Sequence, residues 1–259
     1  MSKVIGIDLG TTFSAIASLD DLGNPEVLAS IEDNRKITAS AIYINGNNVI
    51  VGDKALNYIK DESKKVILQT KREMENDVVY SVDQGKWTDD KDLVDVYTPA
   101  QVSSLILKKL KDYTTDVKKA VITVPAMFAE KARQATLDAA KMADIEVIEL
   151  INEPTAAVLH YASLPGVEVG GRVMIFDLGG GTFDVTFAEV KNKKVDVLTS
   201  RGDKYLGGKD FDWEIVKLIK KKYHNIHKVD IDIENNKEYI QKAEEVKKIL
   251  SVKNKASTN

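Results

Sequence analysis

Cysteine is absent from the 259 residues, which excludes disulfides, thiolate chemistry and zinc sites built on cysteine. Histidine is scarce: His160, His224 and His227 are too few and too scattered for a His-metal cluster. No charge sign dominates either. With 37 basic against 40 acidic residues the formal net charge is −3, so electrostatics gives no case for nucleic acid or an anionic membrane as a main partner. Long apolar runs are missing, and no window approaches the roughly 20 residues of a membrane span. The opening MSKVIGIDLG lacks the basic n-region, apolar stretch and small-residue cleavage site of a signal peptide. The expectation is a soluble, cytoplasmic protein. Disorder of the whole chain is also excluded, because 43% hydrophobic residues are enough for a buried core.

What is present is an alternation of short apolar strands and amphipathic helices. Residues 4–7 form an apolar run that ends in Asp8-Leu9-Gly10-Thr11-Thr12, and alternation resumes over 13–17, the pattern of a hairpin with a polar tip. Strand-like pieces follow at 26–30, 40–44 and 48–51, and helices are predicted over 53–65 and 99–115. The second helix keeps Val102, Leu105, Ile106 and Leu110 near helical spacing. Thr98-Pro99 supplies its start signal. A strand over 119–124 ends at Pro125, a helix covers 129–143, a strand 146–150, and Asn152-Glu153-Pro154-Thr155 opens another helix. Gly170-Gly171 marks a break. Strands at 173–176, 183–190 and 194–200 follow, then helices over about 209–222 and 236–250. This rhythm predicts an α/β fold, a sheet covered by helices.

An internal repeat carries more information than any single motif. Asp8-Leu9-Gly10 matches Asp177-Leu178-Gly179, each directly after an apolar strand, and with one residue added Thr12-Phe13 matches Thr182-Phe183. Two strand–turn–strand units about 170 residues apart suggest duplicated lobes. A glycine-rich turn lets backbone N–H groups converge on an anion, and Thr11, Thr12 and Thr182 add hydroxyl donors. One such turn could be an ordinary hairpin; two, each with an aspartate at the strand end, point to phosphate. Asp8 and Asp177 would face each other across a cleft. Two carboxylates and a polyphosphate repel unless a cation lies between them, and Mg²⁺ suits such oxygen ligands. Neither a Walker-type loop nor a dinucleotide fingerprint occurs.

With IDLGTTFS, VITVPA, INEPTAA, DLGGGTFD and LGGKDFD in view, the sequence resembles the ATPase domain of the seventy-kilodalton heat-shock chaperones of the DnaK type, and more remotely the actin and sugar-kinase superfamily. The resemblance runs from Lys3 to about Ser251. It implies an actin-like ATPase fold: two lobes with duplicated ribonuclease-H-like sheets flanked by helices. Lobe I would span 1–170 (core 1–38 and 98–170, small subdomain 39–97). Lobe II would span 171–259 (core 171–208, small subdomain beginning at 209) and be incomplete. It further implies ATP or ADP with Mg²⁺, and K⁺. Gly10, Thr11, Thr12 and Phe13 would form one phosphate loop, and Gly179, Gly180, Gly181 and Thr182 the other, with Gly207 and Gly208 nearby. Asp8 and Asp177 would hold the Mg²⁺ water shell, and Asp184 a monovalent cation. Lys71 in QTKRE, Glu153 in NEPTAA, Thr182 and Asp177 would be catalytic. Pro125 and Arg133 would form a relay, and Glu244, Lys247 and Ser251, at helical spacing, would grip adenosine.

The likeness also implies a peptide-binding domain, a J-domain co-chaperone and a nucleotide-exchange factor as partners, but the sequence departs from the family where such coupling lies. Met127 stands where an aromatic is usual, Ala39 where proline is, and the segment after Lys71 lacks a Gly-Arg pair. Glu149 replaces a basic residue at the co-chaperone contact, and like charges across an interface slow association. A non-catalytic nucleotide-sensing module is the second reading. A filament subunit and a sugar kinase are disfavoured.

Overall fold

In the computed structural model the described residues are 3–115, 117–164, 166–167, 170–191, 194–233 and 236–256; the last three residues of the polar tail lie outside them. The opening alternation folds as expected. β1 (Lys3–Asp8) buries Ile5 and Ile7 and pairs antiparallel with β2 (Phe13–Leu19), with Asp8 opposite Ala15. β3 (Pro25–Val27) continues the meander, and the short β4 (Thr38–Ala39) meets the start of β2.

An insert follows: β5 (Ile42–Asn45), β6 (Asn48–Val51), α1 (Asp53–Leu56), α2 (Ile59–Glu62), β7 (Val66–Ile67), β8 (Val79–Ser81), β9 (Lys86–Thr88) and β10 (Val96–Tyr97). The single helix expected over 53–65 is instead α1, α2 and a 3₁₀ turn at Ser63–Lys65. Packing explains the break. Tyr58, between the two helices, stacks on buried Tyr43 with ring centroids 3.9 Å apart, which brings Ala55 and Ile59 onto one small core. The strands β7 to β10 are only two or three residues long, too short for a period to register in sequence.

α3 (Pro99–Lys111) begins where Thr98-Pro99 signalled. Thr98 accepts from the Gln101 backbone, and the Gln101 side chain accepts from Thr98 N at 2.8 Å, a reciprocal capping box. The helix stops four residues early, with Asp112 at its end and the Lys111 ammonium drawn to Asp144. β11 (Val117–Val124), α4 (Glu130–Met142), β12 (Glu146–Asn152) and α5 (Glu153–Ser163) complete the first unit. β11 lies parallel to β1 on its free side, and β12 parallel to β11, giving the order β12-β11-β1-β2-β3. Parallel neighbours require crossovers, here supplied by helices. Val102, Ile106, Leu107 and Leu110 of α3 and Ala139 and Ala140 of α4 pack with Ile5, Ile7, Ile16 and Ile122 of the sheet.

The chain then repeats its opening. β13 (Gly171–Leu178), β14 (Phe183–Lys191) and β15 (Lys194–Asp203) form a second antiparallel meander, in which Asp177 sits opposite Asp184 as Asp8 sits opposite Ala15. Among the described residues β13 pairs only with β14, whereas β1 has a partner on each side. α6 (Gly208–His227) and α7 (Lys237–Leu250) pack on each other around Val216 and Ala243.

Candidate functional site

The two hairpin tips meet. At the first, Ser14 Oγ accepts from Gly10 N (3.2 Å) and Ser40 Oγ donates to Gly10 O (2.8 Å), fixing the turn. At the second, Gly179 N donates to Thr182 O at 2.9 Å. Contact between the tips explains their glycines. A Cβ on Gly180 would lie 2.0 Å from Thr12 Oγ1, and one on Gly181 2.3 Å from Thr11 Cγ2. No side chain fits there. The Gly207-Gly208 segment backs the second tip, since Gly208 N and Lys209 N donate to the carbonyls of Gly179 and Gly180, both at 2.9 Å.

A cavity of about 470 Å³ opens between the tips. Asp8, Gly10, Thr11, Thr12, Phe13, Asp177, Gly179, Gly180 and Thr182 all line it, so residues far apart in sequence share one space. Gly181, Gly207 and Gly208 do not line it; they shape the loop from behind. Thr123 at the end of β11 donates to Asp8 Oδ1 at 2.9 Å. Burial pushes the Asp177 carboxyl above the usual range; Lys71 opposes that shift and Asp8 adds to it. Asp184 lies beneath, 2% exposed, with Oδ1 unpartnered. Burial and then the charge of Asp177 raise it as well.

Lys71 and Glu153 form an ion pair in the wall of the same cavity. Lys71 is buried on a 3₁₀ turn (Thr70–Glu73) entered through Gln69 at φ 60°. Glu153 begins α5, where the helix dipole favours an anion. Burial raises Glu153, against the pull of Lys71. Arg133 donates to Phe128 O (3.0 Å) and to Asn152 Oδ1 (2.7 Å), which ties α4 to the residue preceding Glu153.

The three residues expected to act together on α7 are separated. Glu244 lies in the wall of a second cavity, about 750 Å³, which shares Thr11, Thr12 and Phe13 with the first. Burial pushes Glu244 up, but Lys209 at 3.1 Å and Lys248 at 3.0 Å outweigh it and hold the carboxyl low. Lys247 turns instead to Asp212, 0% exposed and 2.8 Å away, and to Gly208 O at 2.8 Å. A buried carboxylate demands a partner, and that demand sets the direction of Lys247. Ser251 falls just past the end of α7, exposed, its hydroxyl donating to Lys247 O.

Sequence reasoning missed Arg72. Its Nε donates to Gly181 O at 2.8 Å and its guanidinium grips Asp210, which also accepts from Gly207 N at 2.7 Å. Arg72 thereby braces the second tip from the 3₁₀ turn that also carries Lys71. Its partners lie 109 and 138 positions away, so no local pattern could have flagged it.

Residues 4–259 match the family described as Hsp70 protein. A curated relative, the chaperone protein DnaK of Thermotoga petrophila, is 36% identical over 262 aligned residues, covering 96% of this chain and 41% of the relative. The chain thus spans about two-fifths of the length of the curated relative it matches. The mixed α/β architecture is consistent with the actin-like ATPase fold that the resemblance implied.

Proposed function

This chain belongs to the Hsp70 family, and from that premise we propose that it binds ATP between two lobes and hydrolyses it to ADP and phosphate, as the nucleotide-handling part of a cytoplasmic DnaK-type chaperone. Lobe I comprises residues 1–170, with the insert 39–97 as its small subdomain, and lobe II comprises 171–259, with α6 and α7 in its own. One observation carries the reading: two aspartate-ended glycine hairpins, one per lobe, border a single cavity that also holds a buried Lys–Glu pair.

The residues fit a metal-bound polyphosphate. The tips are too close for side chains, so an anion meets backbone N–H groups and the hydroxyls of Thr11, Thr12 and Thr182. Thr12 Oγ1 is buried without a partner, as a donor awaiting an acceptor would be. Asp8 and Asp177 are the residues that would hold Mg²⁺, which keeps most of its waters and takes one or two carboxylates plus phosphate oxygens. Bound there, the ion supplies charge neutralisation at the phosphates. Asp184, with an unpartnered oxygen under the site, is assigned to K⁺.

Hydrolysis then depends on positioning and electrostatics. Lys71 places positive charge at the γ-phosphate and orients the attacking water. Glu153, a carboxylate in its pair with Lys71 and made more basic by burial, fixes the lysine and can take a proton from that water. Glu244 borders the nucleoside side, in the larger cavity that continues from Phe13. The peptide-binding domain, J-domain co-chaperone and exchange factor are proposed as partners of the whole protein.

Single-turnover hydrolysis tests this. Lys71→Ala is expected to slow the chemical step by roughly a hundredfold to a thousandfold, the usual loss for one preorganised donor, while ADP binding persists. Hydrolysis unchanged by the substitution would remove Lys71 from the mechanism. Binding without any hydrolysis in the wild type would favour the sensing module instead.

A further inference from the structure

Asp212 is the most deeply buried carboxylate among the described residues, 0% exposed one turn into α6, and the proposed chemistry does not use it. A charge in that place is costly unless it is paired. Its compensation comes from lysines: Lys247 Nζ on α7 lies 2.8 Å from one oxygen, and Lys209 Nζ 3.9 Å from the other. Neither oxygen has a further hydrogen-bond donor among the described residues. Burial pushes the carboxyl up, and Lys247 and then Lys209 pull it back.

One glycine connects this pair to the second hairpin tip. Lys247 Nζ also donates to Gly208 O at 2.8 Å. The first N–H groups of a helix have no partner within it, and those of α6 are directed at the tip: Gly208 N donates to Gly179 O and Lys209 N to Gly180 O, both at 2.9 Å. A trans peptide holds its C=O and N–H on opposite sides. Holding the carbonyls of Gly179 and Gly180 from α6 therefore turns the N–H groups of Gly180 and Gly181 away from the start of that helix. Little slack is left in the arrangement. A Cβ on Gly208 would lie 3.2 Å from Lys247 Nζ, and one on Gly207 2.5 Å from Gly181 N. On its other side the chain of charges continues from Lys209 to Glu244, 3.1 Å away in the wall of the larger cavity.

We infer that Asp212 is a positioning residue for the phosphate site. By holding Lys247 against Gly208 O it fixes the start of α6, and the start of α6 fixes the direction in which the second tip presents its N–H groups. Lys247 then acts on the phosphates through the backbone and not by touching the nucleoside. That the ligand is a polyphosphate rests on the proposed function; the brace itself does not.

Two measurements test it. With glycine-selective ¹⁵N labelling, the amide signals of the 15 glycines report on the tip without any ligand. Asp212→Asn and Lys247→Met are each expected to move the signals of Gly179, Gly180 and Gly208. Lys247→Arg, which keeps a donor, should return them part of the way. Gly23 and Gly46, in hairpin turns of lobe I, should stay in place and show that the fold is intact. Where Asp212→Asn fails to fold, Lys247→Met carries the comparison. Calorimetric titration then sets Mg-pyrophosphate beside Mg-ADP. Both are expected to bind the two variants about tenfold more weakly, the loss for a bond to a charged group. The double variant should lose little more, because the pair acts as a unit. Unmoved tip signals overturn the brace. So does full affinity for Mg-pyrophosphate in the variants, since Lys247 would then act on the nucleoside alone. Moved tip signals in a protein whose wild type binds neither ligand would keep the brace and sink the proposed function.

Discussion

Gly180 and Gly181 face threonine side chains of the other hairpin with no room for a methyl group. Gly180→Ala must push Thr12 away, and overpacking of this kind usually costs about 1–3 kcal/mol. It is therefore expected to weaken Mg-ADP binding roughly tenfold or more. Gly6→Ala, with nothing within 4 Å of the added carbon, is the control and should leave binding alone; equal loss in both would mean that the tips do not touch. At this scale the sequence was informative where chemistry is local. Asp8, Gly10, Asp177 and Gly179 could be read because each turn follows its strand directly. Lys71 could not be read that way, since its meaning comes from Glu153, 82 positions on. Arg72 carried no signal at all. The direction of Lys247 could not be read either, since it is set by the buried Asp212, 35 positions before it on another helix.

The elements read most clearly were those with punctuation. α3 began at Thr98-Pro99 because capping and a proline at the first position are written in adjacent residues. Thr98→Ala removes the acceptor for the Gln101 N–H and is expected to destabilise the protein by about 1 kcal/mol. Urea unfolding would check this, and an unchanged midpoint would show that Gln101 alone fixes the start. α4 has no such side-chain cap at Ala129, and the helix expected over 129–143 spans Glu130–Met142. The region 53–65 failed as a single helix because the stacking of Tyr58 on Tyr43 is a tertiary choice. Propensity is a weak prior against such packing.

On the scale of the whole molecule, the three apolar clusters among the described residues each stay on one side of residue 170. Polar contacts cross between the sides: Arg72 reaches Gly181 and Asp210, Lys204 pairs with Glu75 at 2.6 Å, and Lys237 donates to Ser63 O at 2.7 Å. An interface of this kind permits relative motion of rigid bodies, and the cavity between them is where a ligand could bias it. Calorimetric titration of Mg-ADP tests this most directly, using the wild type, Asp8→Asn, Asp177→Asn and the double variant. If both hairpins grip one metal-bound polyphosphate, each single change weakens binding, and the double change costs less than the sum because the shared ion is already lost. Full affinity in either single variant would contradict a site built from both lobes.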